Sequence, residues 1–310
     1  MTATTPEPLR QLLSALTPSP EKVDAYVADT YVQESVDQLD RLGVDAAKFA
    51  RQHSLLLLKP DAIVARSVEP TLNWLTDNGF RVVGACRIPV DRHLARALWY
   101  FAWNIASPER RRLADLLVGI SDVLVLVVHG SDGELPVPVR LTEAKGATDP
   151  RKRRPGELRY RLGRHNYLLN LVHSPDDPAD VLRELAIYLD EWSRARVIAQ
   201  ACTGEDHSAE ATAIARDLYA RTPERTFERA DALDRVLHDL ERAGTTVSPG
   251  FDPASDADCA QLLYLAWADG RDLDPWSAIV LGSYVLPMRT GTGPQTLRPV
   301  AAEEWLEGRP

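Results

Sequence analysis

Ser54-Leu55-Leu56-Leu57-Leu58-Lys59-Pro60-Asp61 is an apolar run that ends at a lysine and a proline. Without polar alternation it suits a strand buried on both faces, and Pro60 lacks the donor needed to continue a ladder. Chemistry can sit at such a strand end. Helical spacing returns over about 68–77, Asn78-Gly79 closes it, and 81–90 reads as a second β run. Helices at about 91–103 and 108–118 follow, then a strand at 123–128, a helix at 137–145, a basic loop, and strand character from Tyr167 to His173. Asp177-Pro178 opens the next helix, with an N-cap and then proline at the first helical position. Val181, Leu182, Leu185, Tyr188, Leu189 and Trp192 predict one buried stripe along it. The strands are too few and the crossovers too irregular for a doubly wound sheet. The order predicts an α+β fold, a ferredoxin-like antiparallel sheet covered by helices.

The chain is helical outward from this unit in both directions. Leu9, Leu12, Leu13 and Leu16 fall at helical spacing, Pro18 to Pro20 punctuate, and an amphipathic run extends from Glu21 to about Leu42. Past Ser193, helices are predicted over about 209–220, 226–243, 257–268 and 275–285. A break over 194–205, most loop-like at Cys202 to Glu205, completes the expected division: an N-terminal helical extension (1–51), a central domain (52–194) and a C-terminal helical domain (195–310). Trp267, Trp276 and Tyr284 are expected in a helical core or interface.

With 45% apolar residues among 310, the chain can build a genuine core. Its net charge of -9 argues against a general nucleic-acid or anionic-membrane binder, so any polyanion must be met locally. Cys86, Cys202 and Cys259 are too dispersed for a disulfide framework or structural zinc and are expected as buried free thiols. The start MTATTPEPLR lacks the pattern of a secretory leader, and nowhere do 18 apolar residues run together. A cytoplasmic protein without a membrane span is expected.

The candidate chemistry centres on His173. A neutral histidine near fixed positive groups can attack a terminal phosphate and hold the phosphoryl group covalently. Asn170 lies three residues before it, so both serve one site only if the segment bends between them. Glu184, eleven residues after His173, borders the buried stripe of its helix, where a carboxylate can hold one imidazole nitrogen and leave the other free. Between Ala144 and Tyr160, Gly146, Pro150, Pro155 and Gly156 mark irregular backbone carrying a local excess of positive charge. Arg159 and the Thr148 hydroxyl are the better phosphate ligands there; Arg151, Lys152, Arg153 and Arg154 read as a solvated basic loop.

Taken in order, these segments resemble a nucleoside diphosphate kinase over about 54–192. The family's strand ending in Lys-Pro-Asp matches Leu55 to Asp61, its Gly-Ala-Thr-Asn/Asp-Pro matches Gly146 to Pro150, and its Asn-x-x-His matches Asn170 to His173. Its arginine falls on Arg159 and its glutamate on Glu184. The resemblance implies ping-pong transfer of a γ-phosphoryl group from a nucleoside triphosphate to a nucleoside diphosphate through phospho-His173. It further implies phosphate contacts from Lys59, Thr148 and Arg159, a sugar contact from Asn170, and orientation of His173 by Glu184. Magnesium would arrive bound to the nucleotide phosphates rather than in a protein cage.

Two positions depart from the pattern. Thr142 stands where the family carries a second phosphate-clamping arginine, with Arg140 the expected substitute, and Pro175 stands where the family has serine. The nucleobase clamp is expected among Tyr100, Phe101 and Trp103, with Tyr100 the nominated nucleotide contact. These departures leave open a catalytically impaired nucleotide-binding regulator or scaffold, and a kinase with a non-standard diphosphate acceptor. The helical extensions are expected to cover the domain, to replace its oligomer contacts, or to bind a protein partner.

Overall fold

In the computed structural model, residues 6–131, 133–163 and 165–308 are described. The first five residues of the stretch read for a leader lie outside them. The N-terminal part forms α1 (Pro6–Ser14), α2 (Pro20–Tyr26), α3 (Thr30–Arg41) and α4 (Ala46–Gln52). The run expected as one helix from Glu21 to Leu42 is broken because the Asp29 carboxylate accepts from the amides of Tyr31 and Val32 and starts α3 afresh. Next come β1 (His53–Leu58), α5 (Pro60–Val64), α6 (Val68–Asp77), β2 (Phe80–Ile88), α7 (Arg92–Leu98) and a 3-10 segment, Tyr100–Ile105. They are followed by α8 (Pro108–Val118), β3 (Val123–Gly130), α9 (Val137–Lys145), α10 (Leu158–Arg161), β4 (Val172–His173) and α11 (Pro178–Tyr188). The remainder is helical: α12 (Glu191–Thr203), α13 (Ser208–Arg221), α14 (Arg229–Arg242), α15 (Asp256–Ala268), α16 (Pro275–Val285) and α17 (Ala302–Glu307).

The sheet order is β2-β3-β1-β4 with every neighbour antiparallel, the ferredoxin-like arrangement expected. Leu58 pairs with both Leu124 and Val172, which brings the end of β1, the start of β3 and β4 to one end of the sheet. Alternation sorts the central strands onto two cores. Leu55, Leu57, Val125 and Val127 face residues of α3, α4, α11 and α12, whereas Leu56, Leu58, Leu124 and Leu126 face those of α5, α6 and α13. Every residue of β1 is therefore buried, and its unbroken leucine run follows. A third core joins α14, α15 and α16 to Leu113 and Leu117 of α8 and to Leu168 and Leu169 beside the sheet. Trp276 is buried in it and donates its indole N–H to the Thr226 carbonyl at 2.7 Å.

Several local expectations are corrected. The strand expected from Tyr167 is only two residues long, for a reason given below. Trp192 is 86% exposed: α11 stops at Tyr188, Leu189 is extended, and Asp190 caps a new helix that turns Trp192 outward. The stretch 194–205, read as a break, is helical through Thr203 and turns at Gly204, whose φ of 67° suits glycine. Cys86 and Cys259 are buried free thiols, but Cys202 is exposed. No helix among the described residues is long and apolar enough to cross a membrane.

Candidate active site

The site begins with a backbone reversal. Val172 N–H donates to the Asn170 carbonyl at 2.8 Å, closing a three-residue turn about Leu171, whose φ is +68°. Such a conformation costs a non-glycine residue about 1–3 kcal/mol and persists only where its surroundings enforce it. Here the Leu171 amide donates to the buried Asp61 carboxylate at 2.9 Å, its carbonyl accepts from the Lys59 amide at 2.9 Å, and its side chain is buried in the core. The turn stops the strand expected from Tyr167. It also brings Asn170 and His173 to one cavity of about 590 Å³, although a straight strand would aim them at opposite faces.

His173 is held from one side. Its Nε2 lies 2.9 Å from Glu184 Oε1, and the Tyr188 hydroxyl donates to Glu184 Oε2 at 2.9 Å. Glu184 and Tyr188 are one turn apart on α11, so one helix face supplies both groups. A carboxylate partner selects the Nε2–H tautomer and leaves Nδ1 outside the hydrogen bond with its lone pair free. Trp99 packs against the imidazole in a T-shaped arrangement, with ring planes at 81° and centroids 5.7 Å apart.

Cations surround the same cavity: buried Lys59, Lys145 and Arg159 and half-buried Arg110 all line it. Burial holds the Lys59 ammonium and the Arg110 guanidinium below their ordinary ranges. It also takes Arg159 down to about 10, with repulsion from Arg153 adding, and Lys145 down to about 7, with repulsion from Arg159 adding. Lys59 Nζ donates to the Leu168 carbonyl at 3.0 Å and lies 3.3 Å from Asp61. Arg159 donates to the carbonyls of Gly146 and Val172, at 2.9 and 2.6 Å, and to the Thr148 hydroxyl at 3.2 Å. It thereby ties the glycine loop to the histidine strand. Gly146 has φ +86°, and a Cβ there would collide with the Glu157 carboxylate, so both the turn and the close approach require glycine. Asn170 fixes its own loop by donating to the Tyr167 carbonyl at 2.9 Å.

His173, Glu184, Lys59, Thr148, Arg159 and Asn170 are thus gathered at one place. Two nominated residues are not. Arg140 lies on the first half of α9, donates to the Ser131 carbonyl at 2.6 Å and sits over the Phe80 ring, at the opposite end of the sheet. Tyr100 is 64% exposed and does not line the cavity; Trp99 and Trp103 of the same region do. The basic loop is also not uniformly solvated. Arg153 is buried and donates to the carbonyls of Ala147, Thr148 and Gly163, while Lys152 and Arg154 line the cavity. Sequence reasoning missed Lys145, Arg110, Trp99 and the Asp61 anchor. For Lys145 a signal existed: it ends the predicted helix immediately before Gly146 and lies three residues beyond Thr142, on the same helix face. Nor did it find Gln295 and Pro299, which reach the cavity because the segment after α16 returns along Tyr100–Ile105. There Thr290 N–H donates to Ile105 and Thr296 N–H to Phe101.

The structure defines a ferredoxin-like domain with a glutamate-held histidine at its sheet edge, among buried cations. Residues 52–193 match the sequence model of the family described as nucleoside diphosphate kinase. A nucleoside diphosphate kinase of Chloroflexus aurantiacus is 32% identical over 154 residues, covering 46% of this chain and 95% of that one. One of Thermococcus kodakarensis is 29% identical over 139 residues, 44% of this chain and 76% of that one. A crystal structure of the Aquifex aeolicus nucleoside diphosphate kinase is 21% identical with a TM-score of 0.39, covering 46% of this chain and 97% of that chain. The chain belongs to the nucleoside diphosphate kinase family, a family of phosphotransferases.

Proposed function

We propose that this chain transfers the γ-phosphoryl group of a nucleoside triphosphate to a nucleoside diphosphate through a phosphohistidine at His173, with residues 52–194 as the catalytic unit. One observation carries the reading. A histidine with one nitrogen engaged by a buried carboxylate shares a cavity with three buried cations and the half-buried Arg110, each disfavoured by loss of solvent and each able to be satisfied by phosphate oxygens. In the first half-reaction the Nδ1 lone pair forms a bond to the γ-phosphorus. The bond from phosphorus to the β–γ bridging oxygen breaks, and nucleoside diphosphate leaves with that electron pair. Nε2–H stays on Glu184, whose negative charge stabilises the positive ring. In the second half-reaction a terminal oxygen of another diphosphate attacks phosphorus, and Nδ1 recovers its lone pair.

Lys59 and Arg159 meet the charge that spreads over the equatorial oxygens, Thr148 offers a hydroxyl and Asn170 faces the sugar. Among the described residues no group of three or more His, Cys, Asp or Glu could hold a metal, whereas Asp176 lines the cavity. Asp176 would be the residue to meet a magnesium ion brought in on the nucleotide phosphates. Such an ion would neutralise phosphate charge.

Purified protein mixed with γ-labelled ATP is expected to retain acid-labile, alkali-stable label that chases onto an added diphosphate, at turnover within about 1–10³ per second. His173→Ala is expected to retain none. ATP binding without transferable label in the wild type would instead favour the regulatory or scaffold reading. A specialised acceptor draws support from Gln295 and Pro299 on the cavity wall and from the outward placement of Tyr100. Turnover across a panel of diphosphates decides it, and equal use of all ordinary ones would end that idea.

A further inference from the structure

We infer that Lys145 is a phosphate-binding residue of this site, its ammonium set beside His173 to meet the oxygens of the nucleotide's phosphates. The inference rests on the nucleotide reading above and deepens it.

Three lysines are buried among the described residues: Lys22, Lys59 and Lys145. Lys22 lies 2.8 Å from each of Asp177 and Asp180, and Lys59 lies 3.3 Å from Asp61. Lys145, at 4% exposure, has neutral partners: Ser174 Oγ at 2.6 Å, and the Ser174 carbonyl and Thr142 Oγ1, both at 3.4 Å. A buried ammonium whose hydrogen-bond acceptors are all neutral, two of them as far as 3.4 Å, lacks a counterion in direct contact and is costly. The charged groups facing it are Arg159 across the cavity, Asp176 and Glu184 from the β4–α11 side, and Glu143 on its own helix. Burial outweighs their influence and holds the amine down to about 7, with Arg159 pushing the same way. Two cations that repel each other across a wall shared with His173 form a receptor for a dianion.

The neighbours fix the amine rather than neutralise it. Lys145 Nζ donates to Ser174 Oγ; Ser174 and Thr142 hydroxyls lie 3.0 Å apart; Thr142 donates to the Pro175 carbonyl at 2.9 Å. This chain orders the donors in one direction and ends on a backbone acceptor. Thr142 and Pro175, the two departures from the family pattern, thereby become the supports of Lys145.

Isothermal calorimetry of ADP binding to the full chain, at a pH about 2 above the phosphate's second pKa near 6, tests the inference. Wild type is expected to take up a proton on binding, read from the dependence of binding enthalpy on the buffer, because phosphate recharges the amine. Lys145→Met is expected to weaken ADP about 10- to 100-fold and abolish that uptake. Lys145→Arg, permanently charged, is expected to keep most of the affinity while also losing the uptake, a pattern that a merely structural role would not produce. Wild-type affinity and unchanged proton uptake in Lys145→Met would overturn the inference while leaving the phosphohistidine reading intact. Failure of the wild type to bind ADP would overturn both. If Lys145→Met does not fold, the wild type and Lys145→Arg decide: equal proton uptake in the two overturns the inference.

Discussion

Glu184 is engaged through both oxygens, Oε1 by His173 and Oε2 by the Tyr188 hydroxyl. Glu184→Gln keeps the shape but removes the charge that stabilises the ring once phosphorus is attached. The rate of His173 phosphorylation, followed by rapid quench, is expected to fall about 10²-fold or more. Lys145 gives a stability prediction with a defined sign. Its pKa is lowered from 10.5 to about 7 in the fold, so between those values the unfolded chain binds more protons and stability rises with pH. Lys145→Met should therefore stabilise the ligand-free protein most below about pH 7, with the difference from wild type shrinking toward pH 10, as urea unfolding at a series of pH values would record. That His173, Glu184, Thr148, Arg159 and Asn170 come together was legible because each sits at a fixed spacing in a motif. Arg140 and Tyr100 misled because spacing does not reveal which side of a helix, or which end of a sheet, a side chain reaches.

At the scale of elements, the decisive unit is the turn at Leu171. It was not legible as a turn because Tyr167 to His173 is apolar and strand-like locally; what holds the bend is the hydrogen bond its Leu171 amide donates to the Asp61 carboxylate, more than a hundred residues earlier. Asp61 is also the ion partner of Lys59. Asp61→Ala removes both, leaves Lys59 buried and unpaired, and is expected to destabilise the protein by about 3–5 kcal/mol in chemical denaturation. In the surviving folded fraction Asn170 and His173 would no longer be held at one cavity, so phosphorylation should fall as well. The sheet, by contrast, was readable from β1 outward: a strand apolar at every position has to be covered on both faces, and the helical runs on either side supply the cover.

Across the whole molecule, the N-terminal helices are bonded directly to the helix that carries Glu184 of the candidate site. Lys22 pairs with Asp177 and Asp180, Thr17 donates to Asp177 at 2.7 Å, and Tyr26 donates to Asp180 at 2.5 Å. Asp177 caps α11, the helix that carries Glu184, so the extension reaches His173 through one rigid element. Lys22→Ala would strand two buried carboxylates and is expected to cost about 3–5 kcal/mol of stability, measurable by urea unfolding. None of this was legible in the sequence, where Glu21 to Leu42 reads only as an amphipathic run and the lysine within it looks like any solvated charge. The buried ion pairs exist because partners more than 150 residues away fold against that run.

The central claim is that Glu184 occupies Nε2 of His173 and leaves Nδ1 to receive the phosphoryl group. Phosphorylating the full chain with ATP, digesting it under alkaline conditions and assigning the phosphohistidine isomer by phosphorus NMR and mass spectrometry tests it most directly. The account predicts Nδ1-phosphohistidine at His173. The Nε2 isomer, phosphate on another residue, or an unmodified chain would contradict it.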